Sequence, residues 1–189
     1  MVDTRAAVEA FDDRVEGWVD RVRGRPGLDR LFYSLSAVGD HGMIWLGFGL
    51  ARSLRTADPI RSSLRFAALL GAESLLVNGL VKSLFDRTRP VHEGVRPLHL
   101  RQPLTSSFPS GHASSAFMSA VLLAEGSDGA AAYYTLASLV ATSRCYVRIH
   151  HASDVVAGAA IGLGLGHLAR RFDAAGWRNT IRGPRQGEA

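Results

Sequence analysis

Three short stretches, far apart in a chain of 189 residues, each combine a base or a cation with a residue that bends the backbone. They are Lys82 to Pro90 (KSLFDRTRP), Pro109 to His112 (PSGH) and Ser143 to Asp154 (SRCYVRIHHASD). Between them they supply the imidazoles of His112 and His150, the carboxylate of Asp154, the cations of Lys82, Arg89 and Arg144, and a turn at Gly111 able to open a helix. That inventory can hold a phosphate, attack its phosphorus and protonate the leaving oxygen without a metal. Displacement at phosphorus spreads charge over three equatorial oxygens, so its catalysis is mostly positioning and fixed positive potential.

Each stretch has a physical reading of its own. Lys82 ends an apolar segment, and Pro90 biases Arg89 away from helical geometry, which lets the guanidinium turn back toward the helix ends. Arginine offers phosphate a planar fork and lysine a compact charge. Taken alone, such cations also fit residues that snorkel to lipid headgroups. In PSGH the proline suits the first turn of a helix and the glycine admits an anion close to the backbone. The N–H groups of Ser110, Gly111 and His112 are therefore expected to point at a phosphate, with the Ser110 hydroxyl as a further donor. His112, at the rim, can carry a proton near neutral pH. The plainer reading of this segment is a capped helix start with an incidental histidine. His150 and Asp154 stand four apart and share a face if the turn is helical. A carboxylate on Nδ1–H fixes the tautomer and leaves Nε2 as a nucleophile. Arg144 adds a clamp from the preceding helix, and an Asp–His cap at a helix start is the alternative.

The spacings K-x6-R-P, P-S-G-H and S-R-x5-H-x3-D, in that order, closely resemble those of the type 2 phosphatidic acid phosphatase (PAP2) superfamily, over roughly residues 31–172. The resemblance implies a metal-independent lipid phosphatase with no cofactor. It implies that His150 becomes phosphohistidine, that Asp154 orients it and that His112 protonates the leaving oxygen. Lys82, Arg89, Ser110, Gly111 and Arg144 would bind the phosphoryl oxygens. The chain departs from the family where an aromatic residue and proline commonly follow the nucleophile, since His151 and Ala152 stand there. Arg148 is an extra cation where small residues are frequent. These positions are expected to line the headgroup entrance and to bear on substrate preference.

Composition sets the elements that must position these groups. Apolar residues make up 47% and charged residues 21%, and a mean hydropathy of +0.06 hides a segregation. Residues 1–30 and 173–189 are polar and Arg-rich, while the middle carries most of the apolar residues. The expected organisation is an N-terminal amphipathic helix with linker (1–30), a helical bundle (31–172) and a basic tail (173–189). The fold class is all-α: a membrane-embedded bundle of about five spanning helices plus the amphipathic one. Ala7, Val8, Phe11, Val15, Trp18, Val19 and Val22 recur at helical spacing, so the first helix either lies on a bilayer or packs on the bundle. Apolar segments follow at 31–51, 64–85, 112–125, 130–149 and 153–169. Gly158, Gly162 and Gly166, every fourth residue, mark a close-packing face. Asp40, His41 and Glu73, inside apolar segments, are expected to form internal hydrogen-bonded pairs that fix helix register. His92 and His99 lack a metal-ligand spacing with each other and read as loop residues, and His167 as interfacial.

The loop 86–111, with Pro90, Pro97, Pro103, Pro109 and Gly94, carries two of the three stretches, as a functional loop should. The net charge of +5 fits anionic lipid headgroups, since no nucleic-acid-binding signature accompanies it. The lone Cys145 excludes an intrachain disulfide and reads as apolar filler. No secretory signal is expected in residues 1–30, which lack an apolar core and are rich in acids. Counting segments puts the N-terminal region, loop 86–111 and the turn near 150 on one side of a cell membrane. Arginines of 52–65 and of the tail (Arg170, Arg171, Arg178, Arg182, Arg185) fall on the other, which places the site outside the cytoplasm. The Arg-rich N-terminal region opposes that assignment. Two other readings use the same residues: a soluble acid phosphatase or haloperoxidase sharing the pocket, and a non-catalytic membrane lipid-binding protein. Candidate substrates are a polyprenyl phosphate or diphosphate, a prenyl-linked phosphosugar and a phosphatidate-like lipid.

Overall fold

The computed structural model describes residues 3–92, 96, 100 and 105–172, which form helices and their connections with no strand among them. The helices are α1 (Thr4–Asp20), α2 (Pro26–Val38), α3 (Met43–Ser53), α4 (Pro59–Ser74), α5 (Gly111–Ala124), α6 (Ala130–Tyr146) and α7 (Ala152–Phe172). A 3-10 turn, Asp40–Gly42, joins α2 to α3, and α4 runs on as a π-helix through Leu75–Val81. Proline opens α2 and α4, and side chains of Asp3, Asp58 and Ser110 cap α1, α4 and α5 by accepting backbone N–H bonds. Gly94, Pro97, His99, Pro103 and the basic tail 173–189 lie outside the described residues.

The continuous segment expected over 31–51 is instead two helices. α2 stops before Gly39, and Gly42 takes a left-handed φ of +68° before α3 begins. The break falls where a polar pair sits between two glycines, the residues least committed to a helix. Among the described residues two helices are long and apolar enough to cross a membrane, Pro59–Val81 and Ala152–Phe172. α5 is apolar but has 14 residues, short of the roughly 20 that a bilayer core requires.

α5 is the hub. Its residues are mostly small and buried all round, as expected of a core helix without a polar face. α7 packs on it through the expected glycine stripe: a Cβ at Gly158 or Gly162 would fall closer than 3.0 Å to the carbonyl oxygen of Ser110 or Ser114, and one at Gly166 would strike Val121. Replacing Gly162 by alanine should therefore lower stability by about 1–3 kcal/mol. Gly164, with open space around it, should tolerate alanine. Thermal melts of the two variants in one detergent check this. On the other flank Trp45, Phe66 and Leu70 pack against Met118, Leu123, Ala137 and Val140. A second cluster of Tyr33, Tyr146, Val147 and Ile149 is sealed by Val19 and Val22 from the N-terminal region. The first helix thus packs on the bundle, while Phe11 and Trp18 remain exposed.

Candidate functional site

At the end of the bundle where α5 and α7 begin, a cavity of about 550 Å³ is lined by Lys82, Gly111, His112, Arg144 and His150, together with Asp40, Asn78 and Thr105. The chain order of these residues spans more than sixty positions, and helix ends bring them together. Lys82 is the residue just past the membrane-length segment Pro59–Val81. Gly111 and His112 are the first two residues of α5. Arg144 occupies the last turn of α6, and His150 stands in the turn that leads into α7. The helix start at Gly111 and the cations make this end a ready anion site.

His150 is almost completely buried, 2% exposed. Its Nδ1 lies 3.6 Å from Asp154 Oδ2, just beyond hydrogen-bonding range. Its Nε2 accepts an N–H from Arg89 Nη1 at 3.4 Å. That pairing puts the ring proton on Nδ1, facing the carboxylate, and leaves the Nε2 lone pair on the guanidinium side. Burial, with the charges of Arg144, Arg89 and Lys82 acting in the same direction, outweighs Asp154 and pushes the imidazole down to about 3. It is therefore neutral at physiological pH.

Arg89 is turned inward as expected, by bonds to carbonyls of Ile149 (2.9 Å), Thr105 (3.0 Å) and Ser106 (3.1 Å). Arg144 is 1% exposed and is braced by Ser36 of α2, through its hydroxyl and carbonyl. The expected amide cradle is corrected at one position. The Ser110 N–H donates to the Asp154 carbonyl at 3.0 Å, and its hydroxyl accepts from the Ala113 N–H at 3.4 Å. Ser110 therefore ties α5 to α7 and caps α5, and the helix start leaves Gly111 and His112 to face an anion.

Asp40 makes an internal hydrogen bond, its Oδ1 accepting from His112 Nε2 at 2.9 Å, which sets the carboxylate of the 39–42 break against α5; the side chain of His41 lies outside the described residues. Two further expectations are corrected. Glu73 is 2% exposed with no hydrogen-bond partner on either oxygen. Arg148 (φ +52°) and His151 do not line the cavity. Arg148 is paired with Glu16 at 2.5 Å and Asp20 at 2.9 Å on α1, and His151 Nε2 donates to the Thr88 carbonyl at 3.2 Å. His92 stands in the loop, as expected, and outside the cavity lining.

A network that the motif reading left unassigned stands behind Asp154. Arg87 Nη1 donates to Asp154 Oδ1 at 2.5 Å and to Ser153 Oγ at 2.7 Å, and its Nη2 donates to Asp12 Oδ2 at 2.6 Å. Asp12, on α1 and 6% exposed, also accepts the Ser153 N–H and hydroxyl, each at 2.8 Å. The first helix is thereby tied to the start of α7 through a partly buried ion pair. A signal was present: Asp12 lies three before Val15 and seven before Val19, on the side of the helix that packs inward. Asp12→Ala should cost about 3 kcal/mol by leaving Arg87 half-paired and Ser153 uncapped, measured as a lower melting temperature.

A sequence model described as the PAP2 superfamily matches residues 63–178. The chain is 33% identical to a decaprenylphosphoryl-5-phosphoribose phosphatase of Mycolicibacterium smegmatis over 71% of this chain and 73% of that protein. The structure resembles a transmembrane PAP2-type phosphatidylglycerolphosphate phosphatase from Bacillus subtilis, with a TM-score of 0.70 and 24% identity, covering 89% of this chain and 87% of that one. It also resembles LpxE of Aquifex aeolicus, with a TM-score of 0.65 and 26% identity, over 84% of this chain and 93% of that one.

Proposed function

The chain belongs to the PAP2 superfamily of phosphatases, and from that premise we propose that it hydrolyses a lipid-linked phosphate ester through a phosphohistidine at His150. The reading is supported above all by His112 and His150 lining one cavity with Lys82, Arg144 and the start of α5. In the proposed course the phosphate replaces His150 as the partner of Arg89 and is held by Lys82, Arg144 and the N–H groups of Gly111 and His112. The Nε2 lone pair of His150 attacks phosphorus. The bond to the leaving oxygen breaks, and that oxygen takes a proton from His112. Asp154 closes on the Nδ1–H as positive charge develops on the ring. Water then attacks the phosphohistidine, returning a proton to His112 and freeing inorganic phosphate. Because Asp40 accepts the Nε2–H of His112, the proton given to the leaving oxygen is the second one, on Nδ1 of the imidazolium, a state favoured by the negative charge of the bound phosphate.

The substrate's tail would stay in the bilayer while its phosphate enters the bundle end, in a multi-pass protein with its site on the extracytoplasmic face. The relative from M. smegmatis favours a prenyl-linked phosphosugar among the candidate lipids. Phosphate release by the purified protein from prenyl-phosphosugar, prenyl monophosphate, prenyl diphosphate and phosphatidate, run in parallel with EDTA present, tests the proposal. Release from at least one lipid is expected. Silence on all four, or loss of activity to the chelator, would sink it.

Lys82 is expected to give the reaction an alkaline limb. Burial first, then the charges of Arg89 and Arg144, push the Lys82 ammonium down to about 8. Lys82 is charged below that pH and neutral above it, so phosphate binding weakens as pH rises through about 8. The kcat/KM profile, which reports the free enzyme, should fall there by up to about tenfold per pH unit. Lys82→Arg keeps its charge and should remove the limb, at some loss of rate from altered geometry.

A further inference from the structure

The cavity has a graded wall along α4 and its π-helical extension. Lys82 stands at the phosphate end, followed by Asn78 and Ser74 at four-residue steps, then by Gly71, Leu70 and Ala67. Asn78 and Ser74 lie inside a segment long and apolar enough to span a membrane. Polar side chains there are costly and are expected to face a cavity or a partner. Both are exposed and line the cavity, and Asn78 Nδ2 donates to Ser74 Oγ at 3.2 Å. The π-helix that carries Asn78, Leu75–Val81, is a form found mostly as local insertions at functional sites. It presses the Asn78 amide onto the first residue of α5, where a Cβ on Gly111 would collide with it. Asn78 is thus wedged against the phosphate-facing helix start, and Ser115, one turn along α5, lines the same cavity.

From Lys82 to Ser74 the wall offers hydrogen-bonding groups over roughly 12 Å, the buried carboxylate of Glu73 follows, and beyond it the wall becomes apolar at Gly71, Leu70 and Ala67. A prenyl monophosphate would lay hydrocarbon against Asn78 and Ser74 directly after its ester oxygen, leaving their polar groups unpaired. A leaving group with hydroxyls next to the phosphate and hydrocarbon farther on matches the gradient. We propose that Asn78, assisted by Ser74 and Ser115, is a specificity-determining residue that hydrogen-bonds the hydroxyls of a sugar-like leaving group in the lipid phosphate. The inference rests on the phosphatase reading above and adds to it the chemistry next to the scissile ester.

The test is a ratio measured on the full-length protein in mixed micelles: kcat/KM for decaprenylphosphoryl-5-phosphoribose over kcat/KM for decaprenyl phosphate. The wild-type protein should prefer the phosphosugar. Asn78→Ala should lower the ratio about 10- to 100-fold, by removing hydrogen bonds that reject an unhydroxylated analogue, with Ser74→Ala acting in the same direction. Because the ratio does not depend on the fraction of active enzyme, partial misfolding cannot mimic the effect. An unchanged ratio, or a wild-type preference for decaprenyl phosphate, would overturn the inference and leave the phosphatase reading standing. Absence of phosphate release from either lipid and from phosphatidate would instead strike the underlying reading.

Discussion

Replacing His150 by alanine is expected to lower kcat by about 10⁴-fold or more, the loss seen when a covalent nucleophile is removed from a site that acts as a unit. The size follows from what the variant keeps. Lys82, Arg144 and the start of α5 still line the cavity, so the anion still binds. What disappears is the attacking lone pair, and water must then reach phosphorus without the nucleophile held beside it. Inorganic phosphate should therefore still inhibit weakly or bind, while turnover on the lipid vanishes into the background. The neutral state of His150, pushed down to about 3 by burial and three cations, adds a pH signature. The wild-type profile should show no acid limb near the ordinary histidine value that is attributable to this ring. Parallel binding and turnover measurements on the variant separate loss of chemistry from loss of the site.

Replacing His112 by alanine is expected to lower kcat on lipid phosphates by about 10²–10⁴-fold, the usual worth of a positioned general acid. The loss should depend on the leaving group. An alcohol leaves poorly without a proton, whereas a nitrophenolate needs none, so the variant should lose far less in the first step with a nitrophenyl phosphate. The second step still lacks a base to take the proton from water. The aryl substrate should therefore give a burst of nitrophenol followed by slow turnover. Asp40, bonded to His112 at 2.9 Å, should show a milder version: Asp40→Asn keeps the shape but weakens its hold on the ring proton. Equal losses for alkyl and aryl esters would mean that His112 only supports the start of α5.

The sequence made the candidate site legible because phosphate chemistry demands unusual residue types at fixed intervals, and helix ends preserve those intervals. Lys82, Gly111, His112, Arg144 and His150 meet at one cavity, and the Gly158–Gly162–Gly166 stripe packs as its period suggested. The partners of these groups were harder to see. Asp40 and His112 are 72 positions apart, and no local spacing ties a carboxylate in one apolar segment to a ring in another. The split of residues 31–51 at Gly39 and Gly42 sets that carboxylate against α5, and local hydropathy does not register it. Asp12 and Arg87 were visible as residues, one on the inward stripe of α1 and one inside the first motif. Their joint hold on Asp154 and Ser153 is a tertiary fact. The π-helix at Leu75–Val81 has no composition of its own that separates it from an α-helix.

The central claim is that one imidazole, His150, takes the phosphoryl group while another, His112, serves the leaving oxygen. Rapid quench of the His112→Ala variant with an aryl phosphate, followed by proteolysis and fragment mass analysis, tests it most directly. The expected result is an acid-labile, base-stable phosphate on His150, within the peptide that begins at Ile149. A phosphate on any other residue, or none at any quench time while nitrophenol is released, would contradict the account.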